Sequence, residues 1–336
     1  MAFRRLAVAA LLAFAAVPAA SAHAYPYLPP AGKVFAGVSG SITEPGVVPA
    51  FDSRTGKHAP VVQTFVSWGY TATRWLRLAR AEHARAMVHI TTLKGNGHEI
   101  TPRAIATGHG DAPIVSLTRT FGQSGQVIYV RLMAEMNGSW NAYSAYGPGG
   151  YKGGAHSTQN FKQAWRRIVL IMRGGPVDEI NAKLHALHMP SVRGASGVLP
   201  KPKVAFLWVP EVWGDPNVSG NSAAAYWPGG KYVDWVGTDF YSKFPNYRGL
   251  NAFYNEFRHK PFVFGEWAMW GSDNPGFVRG LFGWIRSHKR VRMVMYNQGS
   301  HPSQSPLALA HYPRSAAALR GELRSPLFAP TPPEFS

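Results

Sequence analysis

The sequence contains no cysteine, so no disulfide framework can hold the fold together. It also has no segment of about 18 uninterrupted apolar residues, which excludes an ordinary membrane-spanning helix. Acidic residues are scarce, with 17 Asp and Glu against 35 Lys and Arg, so each candidate carboxylate can be considered individually. A chain of 336 residues is long enough to form a stable core without cross-links, and we expect one large domain.

The first residues have the pattern of a bacterial-type secretory signal. Arg4 and Arg5 precede a short apolar run, and small residues follow it. Cleavage after Ala22 or Ala24 satisfies the preference for small residues at the cleavage site. We therefore predict secretion to the extracellular side, with a signal peptide at 1–24, one domain at 25–325 and a Pro-rich tail at 326–336.

Two short motifs each place a carboxylate at the end of an apolar run: Arg131-Leu-Met-Ala-Glu-Met-Asn-Gly-Ser-Trp140 and Phe264-Gly-Glu-Trp267. A carboxylate just after a buried strand usually has a function, because taking it out of water is costly unless it is paired or used. Hydrolysis of a glycosidic bond requires two such carboxylates. Glu135 and Glu266 are therefore candidate catalytic residues, and a buried ion pair with Arg131 is the alternative interpretation of each.

Eight apolar runs recur along the chain, and most are nearly continuous, as is typical of parallel strands covered on both faces. They span 34–38, 61–66, 87–92, 127–131, 204–209, 233–239, 262–266 and 293–297. Helical patterns separate them at 71–84, 101–120, 158–173, 250–258, 277–288 and 307–322, and weaker patterns predict helices after the first and fifth strands. We predict an α/β fold, a single (β/α)8 TIM barrel. The alternative, a doubly wound sheet, would need a Gly-rich phosphate loop that the first strand lacks.

In a (β/α)8 barrel the reacting groups lie at the C-terminal ends of the strands. Glu135 follows the fourth predicted strand and Glu266 closes the seventh. Other strand ends carry aromatic residues suited to stacking on sugar rings, although each taken singly is more often a core residue. The candidate substrate-binding residues are Trp68, Trp140, Trp208, Trp267, Trp270 and Tyr296, with the polar residues Arg131, Asn137 and Asp239.

The chain resembles the glycoside hydrolases of family 26, which are best known for endo-β-mannanases, over nearly its whole mature length. The resemblance rests on the two motifs above and on the segment Tyr226-Trp-Pro-Gly-Gly-Lys-Tyr-Val-Asp-Trp-Val-Gly-Thr-Asp-Phe-Tyr241. It implies that Glu135 is the acid/base, that Glu266 is the nucleophile, and that Tyr241 hydrogen-bonds the nucleophile. It also implies a retaining double displacement, which needs no metal or organic cofactor.

Ala134 departs from the family pattern, in which a His directly precedes the acid/base and helps to bind sugar. A methyl group offers neither a donor nor an acceptor, so we expect a roomier, less polar pocket there. The substrate is then open among mannan, β-glucan, xylan and an envelope polysaccharide. We expect a secreted endo-β-glycosidase acting on a β-1,4-linked polysaccharide. The alternative is a non-catalytic glycan-binding barrel held at an anionic cell surface.

The formal net charge of +18 predicts attraction to anionic polymers of a cell envelope. The densest basic run, 286–292, precedes the eighth strand and so belongs to the bottom face of the barrel. No recognised nucleic-acid-binding fold is present, so we expect no nucleic-acid partner. We also expect a monomer. His185 and His188 have one-turn spacing but lack a third ligand nearby, so we predict a surface helix and no metal site. Asp111 lies in a polar stretch and is interpreted as a solvated charge.

Overall fold

The computed structural model describes residues 26–40, 46–299, 301 and 304–336, so the predicted signal peptide lies outside the described residues. Eight parallel strands pair in chain order, and the eighth pairs with the first to close a barrel. The strands are β1 (Val34–Ser39), β2 (Val61–Trp68), β3 (Arg85–Lys94), β4 (Val127–Leu132), β5 (Lys203–Trp208), β6 (Trp235–Tyr241), β7 (Phe262–Ala268) and β8 (Val291–Asn297). This arrangement confirms the predicted (β/α)8 barrel.

Helices cover the outside of the barrel. They are α1 (Val47–Thr55), α2 (Thr73–Ala81), α3 (Pro102–Ala106), α4 (Asp111–Ser124), α5 (Thr158–Met172), α6 (Val177–His185), α7 (Tyr247–Glu256), α8 (Pro275–Ser287) and α9 (Pro313–Leu323). Short strand pairs join Tyr146–Gly147 to Gly150–Tyr151 and Gly175–Pro176 to Val198–Leu199. No helix within the described part of the chain is long and apolar enough to cross a membrane.

Two helix predictions were wrong in detail. The predicted helix at 101–120 is split into α3 and α4, because Gly108 adopts a φ of +85° that an α-helix cannot accommodate. The helix predicted after the fifth strand is replaced by three 3₁₀ turns, at Ser219–Asn221, Ala223–Tyr226 and Gly230–Tyr232. Pro228 and Gly229, the latter with a φ of +103°, interrupt any longer helix in this connection.

Side chains of the strands alternate between the barrel interior and the helix layer, as the twofold period of a strand requires. The interior is filled by a separate apolar cluster that includes Phe35, Met87, Leu207 and Trp235. The neighbouring residues on the same strands, Val88 and Trp208 among them, belong to the larger cluster between the barrel and the helices. This alternation decides which strand residues can reach the mouth of the barrel.

An arginine closes the bottom of the barrel. Arg85 is buried at the start of β3 and donates to both carboxylate oxygens of Glu334 in the Pro-rich tail, at 2.7 and 2.8 Å. Its Nη1 also donates to the Tyr129 hydroxyl and to the Tyr27 carbonyl, each at 2.7 Å. The tail adds the short strand Phe328–Ala329 beside β1. Both described ends of the chain are therefore packed against the bottom of the barrel.

The interpretation of Asp111 as a solvated charge was wrong. Asp111 begins α4, is 1% exposed, and accepts two hydrogen bonds from the equally buried Arg167 of α5, at 2.7 and 2.6 Å. Arg167 also donates to the carbonyls of Pro190 and Ser191, so this pair joins two helices and the loop after α6. The pair is structural, since it lies on the helix layer and not at the barrel mouth.

Candidate active site

Glu266 lies at the C-terminal end of β7, is 6% exposed, and accepts four hydrogen bonds. Its Oε1 accepts from Arg131 Nη1 at 2.7 Å and from Gln63 Nε2 at 3.3 Å. Its Oε2 accepts from Asn297 Nδ2 at 2.7 Å and from the hydroxyl of Tyr241. The donors come from β4, β2, β8 and β6, so the closed barrel itself fixes this carboxylate. Hydrogen bonds to the charged form favour ionisation.

A β-bulge aims Glu266 into the barrel. Both Phe264 and Trp267 pack in the helix layer, although they are an odd number of positions apart, because β7 carries one residue more than β8 between the paired positions. Gly265 is that extra residue. A Cβ at Gly265 would lie 2.9 Å from Arg131 Nε and 2.9 Å from Asp239 Oδ1. Only glycine lets this guanidinium and carboxylate approach the strand so closely.

Arg131 is the buried cation of the site. Its Nη2 donates to Asp239 Oδ2, and its Nη1 donates to Glu266 and to His89 Nδ1, the latter at 2.8 Å. Burial opposes its charge, but Asp239 and Glu266 raise the pKa of Arg131, so it stays protonated. Burial and the facing Arg131 hold the pKa of His89 well below its usual range. His89 is therefore neutral, and its Nδ1 acts as an acceptor.

Glu135 follows β4 on a strained backbone. Glu135 has a φ of +52° and Met133 a φ of +40°, values that side chains other than glycine rarely adopt. The Glu135 amide donates to the Val209 carbonyl at 2.6 Å, and its Oε2 accepts from the indole of Trp140 at 2.8 Å. The turned backbone thus places a partly exposed carboxylate at the mouth, opposite the buried Glu266.

Asn137 does not face substrate, contrary to the sequence-based assignment. It is fully buried, its Nδ2 donates to the Glu211 carbonyl at 2.9 Å, and its Oδ1 accepts from the Glu211 amide at 2.9 Å. Both ends of the amide are therefore used to hold the backbone of Glu211. Sequence reasoning overlooked Glu211, although it follows an apolar strand just as Glu135 does.

Glu211 completes a group of three carboxyls with Glu135 and Asp239, and one oxygen from each lies within 4.8 Å of the others. Burial, and then the neighbouring Glu135, raise the pKa of Glu211 well above its usual range. Burial also raises the pKa of Asp239, against the opposing effect of Arg131. Such spacing would suit a shared proton or a cation, and acidic groups of this kind are common without an ion, so we assign no metal here.

The pKa values of the two candidate catalytic residues shift in opposite directions. Burial raises the pKa of Glu266, and Arg131, Tyr241 and Asn297 reduce the effect without cancelling it. Burial alone would raise the pKa of Glu135 too. Hydrogen bonding to Asp239 and the charge of Arg131 outweigh burial and bring the pKa of Glu135 below its ordinary value. These carboxyls titrate as one interacting set, because each charge changes the cost of the next.

Four of the predicted sugar-stacking residues belong to the core. Trp208 packs against Trp227 and Phe257 with ring centroids 4.8 and 4.9 Å apart, and Trp267 contacts Tyr296 at 4.9 Å. Trp68 is also buried in the helix layer. The assignment of Trp68, Trp208, Trp267 and Tyr296 to the substrate is therefore corrected. Strand alternation turns each of them outward.

The exposed aromatic surface is formed by loop residues instead. Trp140 is 57% exposed, and Trp270 is half-buried, with its ring 5.7 Å from Tyr241 and under the ammonium of Lys243. Further exposed aromatics were not predicted: Phe65 lies within β2, and Tyr70, Trp213 and Phe244 follow strand ends. Trp140 and Trp270 thus remain candidate sugar-stacking residues. Both lie in connections between strands and helices, where the strand pattern of the sequence does not predict side-chain exposure.

Ala134 does not open a pocket. Its side chain is fully buried in the interior cluster, together with Val209. The Ala134 carbonyl accepts from the hydroxyl of Tyr143 and from Asn141 Nδ2. The expectation that Ala134 makes a roomier pocket was therefore wrong, because its side chain is buried inside the barrel.

The closed barrel defines the class of fold, a (β/α)8 barrel that carries one carboxylate just after its fourth strand and one near the end of its seventh. No protein-family model matches the chain. Endoglucanase H of Acetivibrio thermocellus is 24% identical over 196 residues, which cover 58% of this chain and 18% of that protein. A β-1,3-xylanase of a Vibrio species is 25% identical over 140 residues, which cover 41% of this chain and 22% of the relative. The chain thus spans about a fifth of the length of these relatives.

Solved structures share the fold over almost the whole chain. The family 26 β-mannanase BoMan26A of Bacteroides ovatus superimposes with a TM-score of 0.59 at 15% identity, covering 89% of this chain and 90% of that one. GH26A from a Muricauda species has a TM-score of 0.59 at 14% identity, covering 89% and 92% of the two chains. The resemblance to family 26 is confirmed at the level of the fold.

Proposed function

We propose that the protein is a retaining β-glycosidase in which Glu266 is the nucleophile and Glu135 the acid/base. The observation that carries the proposal is the pairing of two differently held carboxylates at one barrel mouth. Glu266 accepts four hydrogen bonds and is fixed on its strand, whereas Glu135 is partly exposed and held by an indole. A nucleophile must be ionised and immobile, whereas an acid/base must exchange protons with the substrate.

The chemistry then proceeds in two steps. Glu266 attacks the anomeric carbon while Glu135 gives a proton to the leaving glycosidic oxygen, which breaks the bond to the aglycone and forms a glycosyl ester on Glu266. In the second step Glu135 takes a proton from water, the water oxygen attacks the anomeric carbon, and Glu266 leaves as a carboxylate. Configuration at the anomeric carbon is retained because it is inverted twice.

The supporting residues have separate tasks in this proposal. Arg131 compensates the charge of Glu266 before attack and again when the carboxylate is released, and it stays bonded to Asp239 while Glu266 is an ester. Tyr241 and Asn297 bond one oxygen of Glu266 and so leave the carboxylate oriented for attack. Asn297 Nδ2 also donates to the Tyr241 hydroxyl at 2.9 Å, which fixes the phenol.

We propose a β-linked polysaccharide as the substrate, with a β-1,4-linked mannan-type glycan as the first candidate. The support is the fold shared with β-mannanases, the exposed indole of Trp140 bonded to Glu135, and the half-buried indole of Trp270 beside Tyr241. The names of the curated relatives, an endoglucanase and a β-1,3-xylanase, extend the candidates to β-glucan and xylan. Ala134 supplies no imidazole for a sugar hydroxyl, so discrimination between these glycans falls to other residues.

Secretion and retention at an anionic cell envelope belong to the same proposal. The sequence pattern at 1–24 supports export, and the net charge of +18 supports attraction to anionic polymers. Basic residues line a depression on the bottom face, Arg286, Lys289 and Arg292 among them. Because this face is opposite the carboxylates, binding there leaves the barrel mouth open to a glycan.

A panel of polysaccharides tests the proposed activity. We expect the purified protein to release reducing ends from at least one of mannan, glucomannan, mixed-linked β-glucan, β-1,4-xylan and β-1,3-xylan. Glu266→Ala should abolish release, because it removes the proposed nucleophile. Binding of a glycan without release by the unmodified protein would instead support a non-catalytic glycan-binding barrel.

Glu135→Ala should affect substrates according to their leaving group. Proton donation contributes about 10²–10⁴-fold when the leaving group is poor and little when it is an acidic phenol. We therefore expect a large loss on polysaccharide and a small loss of the first step on a dinitrophenyl glycoside. Azide should restore turnover of the aryl glycoside, because it needs no base to attack. Equal losses on both substrates, without azide rescue, would remove Glu135 from the acid/base role.

Tyr241→Phe should lower kcat by a factor of about 10–1,000, because one charge-assisted hydrogen bond to the nucleophile is lost. The phenol stabilises the ionised form of Glu266, so its loss raises the pKa of Glu266 further. The acidic limb of kcat/KM should move to higher pH. Tyr247→Phe is the matched control, since its buried hydroxyl has no hydrogen-bond partner. Unchanged kcat and pH profile in Tyr241→Phe would contradict its assignment.

A further inference from the structure

We propose that Glu211 is a positioning residue that shares a proton with Glu135 and so controls when the acid/base can donate. The inference rests on the proposed glycosidase function. It assigns a role to a half-buried carboxyl that the two-carboxylate mechanism does not use. The argument starts from the way in which the fold brings the two side chains together.

The backbone of Glu211 is fixed on both sides by Asn137. Asn137 donates to the Glu211 carbonyl and accepts from its amide, each at 2.9 Å, and so locks the residue on both sides. Asn137 lies two residues after Glu135, so one amide fixes the loop after β5 to the turn that carries Glu135. The Asn137 carbonyl is itself held by Asp215 and Asn221. This support leaves the Glu211 carboxyl free to interact with Glu135.

The groups that face Glu211 would repel a second negative charge. Glu135 from the turn after β4, Asp239 from β6 and Glu266 from β7 all act on it, and Arg131 from β4 is the cation that opposes them. Arg131 is already bonded to Asp239 and Glu266, with the neutral His89 behind it. Among the described residues of the mouth, four carboxyls thus meet one guanidinium. Full ionisation would leave uncompensated charge in a desolvated site.

One unpartnered carboxyl oxygen shows that the group lacks a hydrogen-bond donor. Asp239 Oδ1 is buried and has no hydrogen-bond partner. Asp239, Glu135 and Glu211, here called the carboxyl trio, each place one oxygen within 4.8 Å of the others. Two carboxylates cannot hydrogen-bond to each other unless one carries a proton. A proton shared by Glu211 and Glu135 supplies the donor that a contact between these two carboxyls requires. The burial that raises the pKa of Glu211 agrees with a proton resting there.

The proton balance of the cycle follows from this arrangement. The pair Glu135–Glu211 begins with one proton, which leaves through Glu135 to the glycosidic oxygen. Both carboxyls are then ionised, and their mutual repulsion makes Glu135 a stronger base for the water of the second step. The proton removed from water restores the pair. No further reactant is required.

Glu211→Gln removes the repulsion while keeping the size of the side chain. An amide can still donate to the Glu135 carboxylate, so the pKa of Glu135 should fall. We expect the basic limb of kcat/KM on polysaccharide to move to lower pH by about one unit or more, since that is the coupling at which two sites titrate as a pair. Activity on the basic side should fall about tenfold for each unit, whereas a dinitrophenyl glycoside should be little affected.

Asp215→Asn is the matched control. Asp215 is an exposed carboxylate on the same loop, bonded to the Ser139 hydroxyl at 2.5 Å, and it lies outside the trio. Its loss should leave the basic limb in place. A basic limb of Glu211→Gln that coincides with that of the unmodified protein would overturn the inference.

A second measurement does not depend on activity. Protein labelled with ¹³C at the glutamate carboxyls is titrated by NMR, with Glu135→Gln and Glu211→Gln used to assign the signals. We expect the Glu135 and Glu211 signals to titrate together in two steps in the unmodified protein, and Glu135 in one step at lower pH in Glu211→Gln. Independent single steps would overturn the shared proton. Coupled titration in a protein that hydrolyses no glycan would leave the shared proton standing and contradict the proposed function alone.

Discussion

The buried guanidinium of Arg131 is the interaction on which the site depends. It lies inside the barrel, bonds Asp239 and Glu266 at once, and contacts the neutral His89. An unpaired charge at this depth would cost several kcal/mol, so removing either partner destabilises the arrangement as well as the chemistry. Gly265 is required at the bulge because any side chain there would meet Arg131 and Asp239. The position of the nucleophile is thus set by packing around one cation.

The excess of carboxyls over cations explains the electrostatics of the mouth. Glu135, Glu211, Asp239 and Glu266 cannot all be ionised beside one guanidinium, so protons stay within the set at pH values where an isolated Glu has lost its own. The structure separates the carboxyls by their surroundings: Glu266 is immobilised by four donors, and Glu135 is accessible. A difference of environment, and not of residue type, therefore distinguishes the two proposed roles.

The barrel could be predicted from the sequence because eight apolar runs alternate with helical patterns, and the motifs that carry Glu135 and Glu266 mark two strand ends. The sequence did not show which strand residues face the barrel interior and which face the helix layer. The bulge at Gly265 adds a residue to β7, and the same β-strand period that points Asp239 inward points Phe240 outward. Trp208 and Trp267 were misassigned for this reason. The exposed Trp213 and Phe244 lie on connections whose course depends on tertiary contacts.

Trapping of the covalent intermediate tests the central claim most directly. An activated 2-deoxy-2-fluoro β-glycoside of the hydrolysed sugar forms the glycosyl ester but slows its release, because fluorine destabilises the positive charge of the second transition state. We predict that mass spectrometry of the digested protein finds one sugar, attached to Glu266. Attachment to Glu135 or Glu211, or complete hydrolysis with inversion and no adduct, would contradict the assignment of Glu266 as the nucleophile.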